Sequence, residues 1–185
     1  MKNSKATKPQ DFLEKTFTLL QPVGDDKPIK SVTVKPITLA QNVELKLPDE
    51  KFELEDQVRL VIVSTGLTED DVYSLTKPDF NSIFEAAHNF LTLDAYHLAG
   101  KDISESKREL NLLFTGGRHI QFKYPTLRLA KQSQEFTDDV KRAVFIISNI
   151  TDLDGDEVEN MVMPDYRSLV SHTNDFLLNP AAFYQ

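Results

Sequence analysis

Cysteine is absent from this 185-residue chain, which excludes a disulfide scaffold, a thiolate zinc site and a thiol nucleophile together. Long apolar runs are missing as well. None approaches the ~20 residues of a membrane span, and the opening MKNSKATKPQ has lysines but no apolar segment, so no secretory signal is expected. Basic residues are in deficit: 21 Lys and Arg face 29 Asp and Glu, a net charge of −8 that argues against a nucleic-acid surface. With 40% hydrophobic and 27% charged residues the composition is that of a globular protein, expected in the cytoplasm.

Signatures of chemistry are equally scarce. His88, His97, His119 and His172 stand in no metal-ligand spacing and read as surface or helix-edge residues. No Gly-x-Ser-x-Gly elbow and no glycine-rich phosphate fingerprint occurs. The acidic stretch DLDGDE places Asp152, Asp154 and Asp156 as an EF-hand would. The glycine and the terminal glutamate that such a loop needs are replaced by Glu157 and Met163, so a solvated turn is expected. Asp70 and Asp71 lie where a helix start favours negative charge. No cofactor, metal or catalytic residue is assigned.

What is present is a duplication. PDFNSIFEAAHNFL and PDYRSLVSHTNDFL share Pro, Asp, Ser, Phe and Leu when Pro78 is set on Pro164. Phe80, Ile83, Phe84, Ala87 and Leu91 recur as Tyr166, Leu169, Val170, Thr173 and Leu177 at helical spacing. Each segment predicts an amphipathic helix opened by Pro and by an Asp suited to the helix dipole. Upstream, Arg59 and Arg142 open apolar runs that end at Gly66 and Asn149, residue types that take a positive φ and stop helices. Leu67 and Thr68 then match Ile150 and Thr151, and Leu75 matches Met161, with three extra residues placed in the DLDG turn of the second copy. VKPITLAQ resembles FKYPTLRLAK in the same order. The chain is therefore read as two copies of one unit.

The predicted fold is α+β: two tandem repeats, each a β-hairpin followed by about three α-helices. Residues 1–14 read as a mobile polar tail, 15–100 as the first repeat, 101–108 as a linker and 109–185 as the second repeat. TFTLLQPV and IKSVTVKPI form the first hairpin across GDDKP, with Pro36 closing the second strand. Gly116 and Gly117 supply the turn of the second hairpin. A helix is expected from about Glu53 to Thr65, and Thr68 with Asp71 caps a short one. The helix beginning at Pro78 is expected to continue through LTLDAYHLA to Gly100.

The order of hairpin, PITL entry, STGL helix end, acidic-capped short helix and LTKPDFNSI resembles the small tail assembly chaperones of long-tailed bacteriophages, particularly the Mu-like group. The resemblance is carried by Thr65, Gly66, Leu67, Asp79, Phe80 and Ile83, and in the second copy by Ile150, Asp165, Tyr166 and Leu169. It covers residues 17 to about 91, and 109–177 more weakly. This chain differs from the family in being doubled. The resemblance implies a binding function without a chemical reaction. The implied partners are the tape measure protein and the major tail tube protein, in the host cytoplasm, with neither nucleic acid nor membrane involved and homo-oligomerisation open. The alternative is a structural virion protein of the tail or baseplate, of the tail-completion type. Phe183 and Tyr184, beyond the helix-stopping Asn179 and Pro180, are candidate partner-binding residues that could instead fold over the chain's own core.

Overall fold

The computed structural model describes residues 12–24, 27–48, 51–102 and 108–178. It is α+β, with two small antiparallel hairpins each followed by helices. By contact density the chain divides into two compact units. Unit 1 comprises the described residues up to Ile37 and those from Val43 to Leu91. Unit 2 comprises Thr38–Asn42 and the described residues from Thr92 on.

In unit 1, β1 (Lys15–Val23) pairs with β2 (Ile29–Val34), Phe17 opposite Val32, with an irregularity between Thr18 and Val23 where Pro22 has no N–H to give. Helix α1 (Leu39–Leu45) follows, and its first turn belongs to unit 2. Then come α2 (Leu54–Thr65), α3 (Glu69–Tyr73) and α4 (Lys77–Thr92). A capping box between Glu53 and Asp56 starts α2, and Gly66 ends it at a φ of 75° that costs a residue without Cβ little. Thr68 and Asp71 form the box that starts α3, satisfying two orphan N–H groups reciprocally. The core is Val34 against Leu60, Val61, Ile83 and Phe90, all essentially without solvent exposure.

In unit 2, α5 (Ala95–Leu98) precedes β3 (Glu109–Leu112) and β4 (Arg118–Gln121), joined through Gly116 and Gly117 at φ of 68° and 77°. Helices α6 (Leu127–Ser133), α7 (Asp139–Ile150), α8 (Gly155–Glu159) and α9 (Met163–Leu178) complete it. Ile120, Phe122, Ile147, Ile150 and Leu169 are fully buried.

Several expectations need correction. The helix that starts α4 does not reach Gly100: it stops at Thr92, and Asp94 caps the separate α5 by accepting the His97 N–H at 2.9 Å. Residues 92–100 cluster with unit 2 because the Tyr96 hydroxyl bonds both the N–H and the carbonyl of Asn111, at 3.0 Å each, and the Ala95 N–H donates to Ser168 Oγ. Asn149 does not terminate α7. The helix runs to Ile150 and is capped by Thr151 in an extended conformation; among the described non-glycine residues, only Lys46 has a positive φ.

The true counterpart of the α2 end is found in its hydrogen bonds. The Thr65 hydroxyl donates to the Val61 carbonyl at 2.7 Å and accepts the Leu67 N–H at 3.2 Å; Thr151 does the same with Ile147 and Leu153 at the same distances. Thr65 and Thr151 stand at the same spacing as Pro78 and Pro164. No residues are therefore inserted in the DLDG turn. Both hairpins are also tied alike, Lys35 N–H to Ser64 O at 2.8 Å and Lys123 N–H to Ile150 O at 2.7 Å. The duplication seen in sequence thus extends to matching hydrogen bonds.

Candidate functional site

The two prolyl-aspartate motifs do more than complement a helix dipole. Asp79 accepts the Leu20 N–H at 3.2 and 3.1 Å and the Thr76 hydroxyl at 2.7 Å. Asp165 accepts the Phe114 N–H at 3.2 and 3.1 Å and the Thr115 hydroxyl at 2.8 Å. Each carboxylate locks a hairpin to the start of the long helix of its own unit. Burial holds the Asp165 carboxyl above its ordinary range in spite of those hydrogen bonds. Both are structural clasps.

Each unit also has a cleft. In unit 1 it has a volume of about 300 Å³ and is lined by Leu54 and Val58 of α2, Val72 and Tyr73 of α3, Leu75, and Phe80 of α4, with Lys77 at its edge. The Lys77 ammonium lies 4.6 Å from the centre of the Phe80 ring. Leu54 and Tyr73 are about half exposed, so apolar surface is left open to solvent.

In unit 2 a different cleft is open. It lies between α7 and α9, has a volume of about 250 Å³, and is lined by Ala143, Ile146, Ile147 and Val170 with the polar Asp139, Arg142, Thr173 and Asn174. Arg142 is held by Asp139 at 2.8 Å and by the Phe136 carbonyl at 2.6 Å. Its Nε and the Thr173 hydroxyl are buried with no hydrogen-bond partner among the described residues. The corresponding position of unit 1 is occupied: Phe52 lies 6.0 Å from Phe84 and 5.3 Å, edge-on, from His88. Phe84 and His88 match Val170 and Asn174, whereas Asp138 stands where Phe52 would be repeated. The α7–α9 cleft is open because the second copy lacks the aromatic plug of the first.

The acidic DLDGDE segment is a cap and ion-pair site. Asp154 caps α8, accepting the Glu157 N–H at 2.8 Å, and Glu157 and Asp152 both contact Arg118. The hydrogen bond from Arg118 holds the Glu157 carboxyl below its ordinary range. Among the described residues no cluster of three or more His, Asp or Glu could hold a metal, and no helix is long and apolar enough to cross a membrane. His97 and His119 are exposed and His88 half-buried, but His172 is not the surface residue expected. It is buried, with its ring 4.6 Å from that of Phe122, because the α9 face that carries it packs toward the second hairpin.

Phe183 and Tyr184 lie outside the described residues. Neither cleft was expected from sequence. The available signals were small: a Phe at position 52 without a repeat, and a Leu after Thr in both PITL and YPTL. Compared with family models, curated proteins and solved structures, the chain matches none.

Proposed function

We propose that this chain is a tail assembly chaperone of a long-tailed bacteriophage, which holds the tape measure protein and helps recruit tail tube subunits before the tube polymerises. The observation that carries the reading is the α7–α9 cleft, lined by the apolar Ala143, Ile146, Ile147 and Val170 together with Asp139, Arg142, Thr173 and Asn174, and unplugged where its twin is filled by Phe52. A groove between two helices that an aromatic side chain fits in the sister unit suits an amphipathic helix presenting large apolar residues. A tape measure protein, long, helical and apolar, supplies such stripes repeatedly. The Thr173 hydroxyl and Arg142 Nε at the groove would be satisfied by backbone or polar groups of that guest. The net charge of −8 keeps a chaperone carrying apolar cargo soluble.

The test is co-expression with the tape measure protein of the same phage. The expected result is that the tape measure protein stays in solution and co-purifies with the chain, and that Val170→Asp, which places a charge in the α7–α9 cleft, abolishes both effects. A tape measure protein that remains insoluble and unbound beside the folded wild-type chain removes this reading. Recovery of the chain in finished, purified virions would replace it with the structural-subunit alternative.

A further inference from the structure

We propose that copies of this chain associate head to tail, the Thr126–Leu127 turn of one copy entering the unit 1 cleft beside Leu75 of the next. Unit 2 contains the pattern for this contact within itself. There the Leu39 N–H donates to the Met161 carbonyl at 2.8 Å, Thr38 forms a β-bridge with Val162, and Leu39 is only 1% exposed. A threonine-capped leucine turn thus docks against Met161 and Val162, just beyond the C-cap of the short helix α8.

Both halves of that contact are repeated in the sequence, and both repeats are left without a mate. Thr126 caps α6 as Thr38 caps α1, each hydroxyl accepting the N–H three residues on, at 3.2 Å in both cases. Leu127, the counterpart of Leu39, is 88% exposed. Leu75 is the counterpart of Met161: each donates its N–H to the carbonyl three residues back, Val72 or Val158, at 3.2 Å. Among the described residues nothing donates to the Leu75 carbonyl, and the adjoining cleft of about 300 Å³ is open. An exposed leucine and an open apolar cleft are complementary by the same geometry that the chain already uses once.

Charge favours a second chain as the occupant. Arg128 and Lys131 are exposed on α6, and beside the cleft the exposed Glu69 and Asp70 of α3 outnumber the cationic Lys77. Helix α1, whose first turn docks in unit 2, has the uncharged Ala40 and Val43 where α6 has Arg128 and Lys131. Basic residues on the turn and acidic residues at its receptor would steer association between separate molecules. The contact is heterologous, turn to cleft, so it propagates into a row or a ring instead of closing as a two-fold dimer.

The experiment uses the purified full chain alone, with no tape measure protein present, so its outcome is independent of the phage reading. Light scattering after size exclusion is expected to show a mass that rises with concentration up to about 1 mM, where weak contacts register. Leu127→Asp and Tyr73→Asp, both at exposed positions, are each expected to weaken self-association roughly 10- to 100-fold, the loss expected on removing one buried large side chain. Mixing the two variants is expected to restore association but to stop it at two chains, one copy supplying the intact turn and the other the intact cleft. Should either variant lose its circular-dichroism signature, Leu127→Ser and Tyr73→Ser replace the pair. A wild-type chain that stays monomeric throughout, single variants that assemble like the wild type, or a mixture of folded variants that stays monomeric would each overturn the proposal.

Discussion

Asp165 and Phe114 are joined through both carboxylate oxygens, the Phe114 N–H lying 3.2 and 3.1 Å from them, and Asp79 and Leu20 repeat the arrangement at the same distances in the other unit. The two contacts differ in their surroundings: Asp165 is completely buried, whereas Asp79 keeps 8% of its surface.

Replacing Asp165 with alanine leaves the Phe114 N–H and the Thr115 hydroxyl without their acceptor in a dry site. The expected loss is about 2 kcal/mol or more for Asp165→Ala, and less for Asp79→Ala, whose partners water can reach more readily. Urea unfolding of the two variants measures both. A loss at Asp165 no larger than at Asp79 would show that burial does not set the strength of this contact, and no loss at either would show that the hairpins are not held by it.

The same carboxyl gives a pH signature. Because burial raises its pKa in the folded state above the ordinary value of 3.8, the native protein binds this proton more tightly than the unfolded chain does. Its contribution is fully present below the unfolded pKa and is lost as pH rises through the folded one. Relative to wild type, Asp165→Asn is therefore expected to gain stability as the pH is raised from about 4, the reference carboxylate range. Paired denaturation curves across that window check the sign; a wild-type chain that gains on the variant with rising pH contradicts it.

Leu39 and Leu127 follow the same capping threonine and are buried to opposite extents. Leu39→Ala is expected to destabilise the chain by about 2–4 kcal/mol, as for other buried leucines. Leu127→Ala, measured at a concentration where the chain is monomeric, is expected to change stability by no more than about 0.5 kcal/mol. Thermal unfolding of both variants separates these outcomes.

Much of the architecture is written locally. The Thr68–Asp71 box, Gly66 with its positive φ, the Gly116–Gly117 turn and the apolar spacing of α4 and α9 each depend on residues a few positions apart, so their identities suffice to place them. Where local signals compete, residue identity alone does not choose between them. Asn149 is a plausible helix stop, but Thr151 ends the helix by turning its hydroxyl onto the Ile147 carbonyl. LTLDAYHLA has helical spacing, but Asp94 breaks it by capping a new helix instead.

By itself the sequence determined that there are two copies of a hairpin-and-helix unit, because duplication, capping and periodicity are all properties of neighbouring residues. Only the tertiary structure decided what the copies do differently. Asp79 and Asp165 become clasps because a hairpin amide lies opposite each. Leu39 is buried and Leu127 exposed because Met161 meets the first and no described residue covers the second, and Phe52 fills one interhelical groove while its twin stays open. Burial is a relation between distant segments. Two stretches with the same local pattern therefore have opposite environments, and the difference appears only when the chain is folded.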